Sequence, residues 1–404
     1  MTVNVKANYN KEKYEKNAIE AINDIKSRKG KDGQFLNWIE VLPKNQIENI
    51  DKIYGMADKA KAEGLDELAI LGIGGSRHTT EAMVKMLGVD KKVHFYSSVD
   101  PVSFKRFAGK LNIDKTLFLV VSKSGGTLET TTAYNEAKKL VKDYLKTDDI
   151  SKRFIAMTDK NEEKSALRRE VIAGNFLDSG YVHDDVGGRF SIFDDATIFT
   201  LAYVGVKKED VIKMLNASLC AQNEFLNNGI DENNALKLAL FNVDAKLNGK
   251  NKHFVEYFGD CFEGATLWEK QMKNESLKSR ISTDTNVGPG YLHYNAEADL
   301  DPDNKDSFYT FVNVKTDDKT TNAVLNGVKS AYGAQHRVAE IILDDLGYES
   351  IGCFIELKHF ETLYTGNILR RELGLVTPES VALDEVLQPN VEIYKKEVKK
   401  AMNN

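Results

Sequence analysis

Short apolar runs alternate with longer amphipathic stretches along most of the chain. Residues 67–73 (ELAILGI), 92–96 (KVHFY), 116–122 (TLFLVVS) and 153–158 (RFIAMT) are short, apolar and rich in β-branched or aromatic side chains, which predicts strands. Residues 80–88, 100–109, the segment after Thr127, and 162–173 carry helical periodicity. The helix at 100–109 opens with Asp100 as N-cap and Pro101 at the first helical position. Strands alternating with helices imply βαβ units and a parallel sheet covered on both faces. The same order restarts after about residue 206, with helices near 208–226 and 233–247 and strands at 252–258, 307–314 and 351–357. The expected fold class is therefore α/β, with two domains that each hold a parallel sheet flanked by helices. A helical lead-in carrying Trp38 is expected over 1–50, the two domains over 51–205 and 206–385, and a C-terminal helix over 386–404.

Composition narrows the function. With 404 residues and 42% hydrophobic content the chain can bury a large core. A net charge of -6 argues against a nucleic-acid or anionic-membrane surface, which needs a basic field. A small anion is still accommodated, because a few backbone N–H groups can hold one phosphate. Lys395 to Lys400, broken by Glu397 and Val398, reads as the solvated face of a last helix. Cys220, Cys261 and Cys353 are far apart and form no CxxC pair, so neither a disulfide frame nor a zinc knuckle is expected. The N-terminal stretch has no apolar signal core and no segment approaches a membrane span, so a cytoplasmic location is expected.

Two strand–helix junctions have the make-up of anion sites. In residues 71–83 (LGIGGSRHTTEAM), Gly72 and Gly74 fit the start of a G-x-G-x-x-G loop, but Arg77 takes the place of the third glycine. A nicotinamide dinucleotide is disfavoured there, which leaves an anion-binding turn or simply a tight turn. In residues 122–130 (SKSGGTLET), Ser122, Ser124, Thr127 and Thr130 supply hydroxyls around Lys123, and Gly125 and Gly126 let the backbone come close. The Walker A order is absent, so the loop suits one terminal phosphate, or else plain Ser/Thr capping. Further on, Arg189 follows two glycines in 185–194 (DVGGRFSIFD), where it offers either a fork for an oxyanion or a surface ion pair. Gln271 and Glu275 stand four apart and share one helix face.

The strand followed by SKSGGT resembles the phosphosugar-binding loop of sugar-isomerase (SIS) domains. Together with GIGGS at 72–76, the stretch around Arg189, the Gln271–Glu275 spacing, GPGYLHYNAEADL at 288–300 and LQPNVEIYKK at 387–396, it is similar to the glucose-6-phosphate isomerase family. That resemblance implies two SIS-type domains and interconversion of glucose 6-phosphate and fructose 6-phosphate through ring opening and a cis-enediol. By it, Ser122, Ser124, Thr127 and nearby N–H groups hold the phosphate, Lys123 and Thr130 also bind the substrate, and Gly75 and Ser76 meet the sugar. Glu275 moves the proton, Arg189 stabilises the enediolate, and Gln271 and Gln388 orient hydroxyls. His293 and Lys395 assist ring opening, and His293 reaches the neighbouring subunit's site, which implies a homodimer. Neither cofactor nor metal is expected, since no H-x-H or H-E-x-x-H pattern occurs. The chain departs from the family pattern at 77–80 (RHTT, where an aromatic, a leucine and a glycine are more usual), after Arg189 (IFDDATI), at Tyr294, at Ala296–Glu297 and at Asn390. A non-catalytic phosphosugar-binding regulator, an isomerase of another hexose phosphate such as mannose 6-phosphate, and an inactive scaffold are the alternatives.

Overall fold

The computed structural model describes residues 2–376 and 382–403. The ranges expected for a lead-in, a second domain and a C-terminal helix include residues 1, 377–381 and 404, which lie outside the described residues. The strands are β1 (Val3–Lys6), β2 (Glu67–Leu71), β3 (Val93–Tyr96), β4 (Thr116–Val121), β5 (Phe154–Thr158), β6 (Asp178–Tyr181), β7 (Lys252–Phe258), β8 (Ser282–Gly288), β9 (Ser307–Val314) and β10 (Arg337–Leu343). They form two five-stranded sheets, ordered β3-β2-β4-β5-β6 and β1-β10-β9-β7-β8. Every pairing is parallel except that of β1 with β10. All six residues of β4 are buried, as expected for a central parallel strand with helices on both faces.

The first sheet changes direction between β2 and β4. The chain leaves β2 toward β3 and then returns to β4 on the opposite side of β2. Loops from these two strands therefore diverge, and a crevice opens beyond their carboxyl ends, the usual ligand position in such sheets. The helices Gly75–Met86 and Leu128–Leu145 begin at that crevice.

The second half supplies the other wall. The helix Glu263–Leu277 packs against Gly75–Met86 on one side and against the long helix Tyr348–Glu372 on the other. Gly264 permits the first contact, since a side-chain carbon there would lie 2.7 Å from the Glu81 carbonyl oxygen. Trp38 is buried and stacks on Phe190 with ring centroids 5.3 Å apart, which fixes the residue next to Arg189.

Several elements differ from the sequence expectation. Residues 351–357, read as a strand, lie inside the helix Tyr348–Glu372. That helix is buried on nearly all sides, so its apolar run carries no amphipathic period to tell helix from strand. The helical lead-in begins with a strand, β1, which pairs with β10 from the other end of the chain. The helix expected over 162–173 is shorter, Ala166–Ile172, because Ser165 caps it by accepting a hydrogen bond from the Arg168 N–H. Strands β6 (DSGY) and β8 (STDTNVG) carry too few apolar residues to be visible in the pattern.

The crossing of Tyr348–Glu372 over Lys208–Asn227 depends on Gly352, where a side-chain carbon would meet the Met214 carbonyl oxygen at 2.4 Å. Gly352→Ala is expected to force these helices apart and cost about 1–3 kcal/mol, read as a lower denaturant midpoint with the same circular-dichroism spectrum.

Candidate active site

The loop after β4 has the make-up of a phosphate cradle. Ser122, Lys123, Ser124, Thr127 and Thr130 line one cleft of about 380 Å³ together with Ile73, Ser76, Asp159 and Lys164. Gly125 turns the backbone with φ +64°, and a side-chain carbon there would sit 2.3 Å from the Leu167 nitrogen, so only glycine fits. The turn is tied internally. Gly125 N–H donates to Ser122 Oγ at 3.1 Å, and Gly126 N–H donates to Ser124 Oγ at 3.1 Å. Thr127 is the N-cap of Leu128–Leu145 but makes no side-chain capping bond, which leaves the first N–H groups of the helix open to a ligand. Thr130 is buried, lines the cleft, and its hydroxyl has no partner. Lys123 pairs with Asp184 at 3.4 Å. Lys164 and Asp159 were not singled out in the sequence. Lys164 falls in a stretch read as plain helix and Asp159 between that helix and the strand before it, and only the fold brings them to the cleft.

A second constellation lies across the loop 74–76. Arg189 Nη1 donates to Glu275 Oε2 at 3.1 Å, and Gln271 Nε2 donates to Glu275 Oε1 at 2.9 Å. Gln271 and Glu275 are one turn apart on Glu263–Leu277, as their spacing required. Arg189 also donates to Ser276 Oγ at 3.0 Å, to the Glu385 carbonyl at 2.7 Å and to Gln388 Oε1 at 3.4 Å. Its own carbonyl accepts from Trp268 Nε1 at 3.0 Å. Burial pulls the pKa of the Arg189 guanidinium down, and the charges of Glu275 and Glu385 act against that. The arginine side chain is 2% exposed and the glutamate 25%, so solvent reaches the carboxylate while the guanidinium is sealed in. Gly75 joins the two groups: a side-chain carbon there would lie 2.2 Å from the Gly188 carbonyl carbon, so the two backbones touch.

Two expected residues stand apart from this constellation. His293 is exposed on the short helix Leu292–Asp299, next to Tyr294. Lys395 is on the exposed helix Val391–Asn403 and pairs with Glu392 at 2.8 Å. That bond is the first of the influences that raise its pKa, and Glu129 of the helix Leu128–Leu145 is a minor one.

Among the described residues one group has the make-up of a metal ligand set, His183 with Asp194 and Asp195. Its members are already engaged with one another. Asp195 Oδ1 lies 2.9 Å from His183 Nε2 and accepts from Gln46 Nε2 at 2.8 Å, while Asp194 accepts from the Asp195 N–H at 3.0 Å as a helix cap. Burial pushes Asp194 up to about 7. Burial disfavours the His183 cation, but the hydrogen bond to Asp195 and the charges of both aspartates outweigh it and raise its pKa.

The two sheets and the switch-point cleft define a double SIS-type fold. The family model for phosphoglucose isomerase matches residues 44–297, and the chain belongs to that family. A glucose-6-phosphate isomerase from Acetivibrio thermocellus is 28% identical over 283 residues, covering 65% of this chain and 60% of the relative. One from Alkaliphilus metalliredigens is 26% identical over 272 residues, covering 62% and 57%. The chain thus spans about 60% of the length of the curated relatives it matches. Among solved structures, a hypothetical protein from Thermus thermophilus superposes with a TM-score of 0.80 at 19% identity over 97% of this chain and 96% of its own. A glucose-6-phosphate isomerase from Chlamydia trachomatis superposes with a TM-score of 0.75 at 18% identity over 95% and 78%.

Two outcomes follow from this geometry. Thr130→Val removes a buried hydroxyl that has no partner, so it is expected to leave the thermal midpoint unchanged or higher in calorimetry. The raised Asp194 pKa means that the folded state holds a proton the unfolded chain gives up near pH 3.9. Stability from this group is full below that value and is lost as the pH rises toward about 7. Asp194→Asn keeps the helix cap and is expected to flatten the fall of the thermal midpoint across that window.

Proposed function

We propose that the chain interconverts D-glucose 6-phosphate and D-fructose 6-phosphate. The observation that carries this is the Glu275 carboxylate, held between Gln271 and the buried Arg189 and one glycine crossing away from a phosphate-sized cradle. Membership of the phosphoglucose isomerase family supports the same reading. In it, Ser122, Lys123, Ser124, Thr127, Thr130 and the first N–H groups of Leu128–Leu145 anchor the phosphate, and Gly75 and Ser76 meet the sugar. Glu275 takes the proton from C2 and returns it to C1. The negative charge that develops on the enediolate oxygen is met by the Arg189 guanidinium, already in place and shielded from water. Gln271 and Gln388 orient the hydroxyls.

Ring opening belongs to His293 and Lys395, and their exposure is what a shared site would need. The helix of His293 exposes Tyr294, and the helix of Lys395 exposes Ile393, Tyr394 and Met402. These apolar groups suit a homodimer in which His293 enters the neighbouring subunit's site. Neither cofactor nor metal takes part in this scheme, and a cytoplasmic location fits a metabolic isomerase. No helix among the described residues is long and apolar enough to cross a membrane. A phosphosugar-binding regulator would use the same cradle, but it would have no use for a carboxylate clamped between an amide and a guanidinium.

The test is to supply fructose 6-phosphate and follow glucose 6-phosphate through a coupled dehydrogenase. Folded protein that gives no turnover sinks the enzyme reading. Glu275→Gln is expected to lower kcat by at least about a hundredfold while sugar-phosphate binding persists. A full rate in that variant means that the base is another residue.

A further inference from the structure

His78 lies in the stretch 77–80, where the chain departs from the family pattern, and no role has yet been given to it. It is on the second turn of Gly75–Met86, mostly buried, and its Nδ1 lies 2.9 Å from Gln271 Oε1. The other end of the same amide donates to Glu275 Oε1 at 2.9 Å, and Glu275 Oε2 accepts from Arg189 at 3.1 Å. Gly74 closes the pocket around the amide, since a side-chain carbon there would lie 3.1 Å from Gln271 Nε2. Four side chains thus form one unbroken line, and its direction follows from what each atom can do. A carboxylate oxygen only accepts, so Gln271 must present its NH2 to Glu275. Its carbonyl oxygen then faces His78 and also only accepts, so the proton must be on His78 Nδ1. With the proton on Nε2 instead, two lone pairs would meet. The amide would then gain by turning over, which would put its oxygen against the Glu275 carboxylate.

On the isomerase reading above, we propose that His78 is a positioning residue. Its Nδ1–H fixes the amide of Gln271, so that Gln271 always donates to Glu275 and holds the carboxylate in one orientation. The neutral ring does this. Burial is the leading influence that lowers the His78 pKa, with Arg77 acting the same way and Gln271, Glu81 and Glu275 acting against it. Arg77 and Glu81 pair with each other on the same helix at 2.8 Å, and Arg77 also donates to Ser97 Oγ at 2.7 Å, so neither competes for the Gln271 amide. The line continues the cradle's logic. The phosphate end of the site is shaped by the backbone turn after β4, and the proton-transfer end by a chain of side chains that begins on the helix after the glycine loop 72–76.

The experiment has a spectroscopic arm and a kinetic arm. In protein with 15N-labelled histidine at neutral pH, His78 is expected to carry its proton on Nδ1, and Gln271→Leu is expected to release that preference. His78→Leu is expected to lower kcat about tenfold with KM changed less than about twofold, since one net hydrogen bond that orients the base is lost. His78→Gln, whose amide N–H can take the place of Nδ1–H, is expected to restore most of the rate. A ring protonated on Nε2 alone, an unchanged kcat in His78→Leu, or an equal loss in His78→Gln and His78→Leu would overturn the proposal. If His78→Leu does not fold, the ring spectrum and His78→Gln decide. If the wild-type protein has no isomerase activity, the functional reading falls by itself, and the ring spectrum still shows whether His78 sets the Gln271 amide.

Discussion

The helix that carries Gln271 and Glu275 is set by four charges sealed inside the second half of the molecule. Lys273 lies 2.6 Å from Glu361 and 3.2 Å from Glu269, and Lys358 lies 2.5 Å from Glu269 and 3.2 Å from Glu361. All four side chains are buried. Two of them belong to Glu263–Leu277 and two to Tyr348–Glu372, so the quartet joins the two helices and sums to zero charge. Such an arrangement adds little net stability, because desolvation consumes most of the attraction. Losing one member is another matter, since an uncompensated buried charge costs about 3–5 kcal/mol. A shift or rotation of one helix against the other would break several of these contacts at once. The quartet therefore fixes register, and through it the height and angle at which Glu275 meets Arg189.

That register matters because the site is assembled from distant pieces of chain. The cradle comes from β4 and the loop after it, the glycine loop from β2, Arg189 from the end of the first half, and Gln271 and Glu275 from the second. Gln388 arrives last, placed by the returning chain whose Glu385 carboxylate meets Arg370 at 2.7 and 3.1 Å. Two of the pieces meet where Gly75 and Gly188 touch, at a separation that a side chain on Gly75 would not permit. The glycines do not act on a ligand. In the proposed reading they bring a phosphate anchor and a guanidinium to the two ends of one small molecule.

Much of this was legible in the sequence, and the rest was hidden for identifiable reasons. The first sheet could be read because β2, β4 and β5 are short apolar runs bounded by turns and helices. The Gln271–Glu275 pair could be read because a spacing of four has one meaning on a helix. The helix Tyr348–Glu372 could not, because burial on almost every side erased its period. β8 could not, because a polar edge strand has no apolar signature. The partners of Arg189 are the clearest limit. Ser276 and the Glu385 carbonyl are ordinary groups in sequence, and only the tertiary fold aims them at one guanidinium. His78 was visible only as a departure from a family pattern, with nothing in its neighbours to point to Gln271 193 positions away.

The pairing of Arg189 with Glu275 raises a question for the proposed mechanism, since the guanidinium that would meet the enediolate already faces the carboxylate. The distribution of hydrogen bonds on Arg189 answers it. Nε and Nη2 are committed to Ser276 and to the Glu385 carbonyl, neither of which needs to move. Only Nη1 is shared, between Glu275 at 3.1 Å and Gln388 at 3.4 Å. In the proposed reaction a sugar oxygen can therefore compete for one N–H while the guanidinium stays where it is. As the proton leaves C2, negative charge passes from the carboxylate to the enediolate oxygen, and the arginine's attraction passes with it. The charge is stabilised at both ends of the step by a group that does not reorganise, which is where preorganised electrostatics gains most over water. In that proposed reaction the buried side of Arg189 is as much a part of the proton transfer as the edge that faces Glu275.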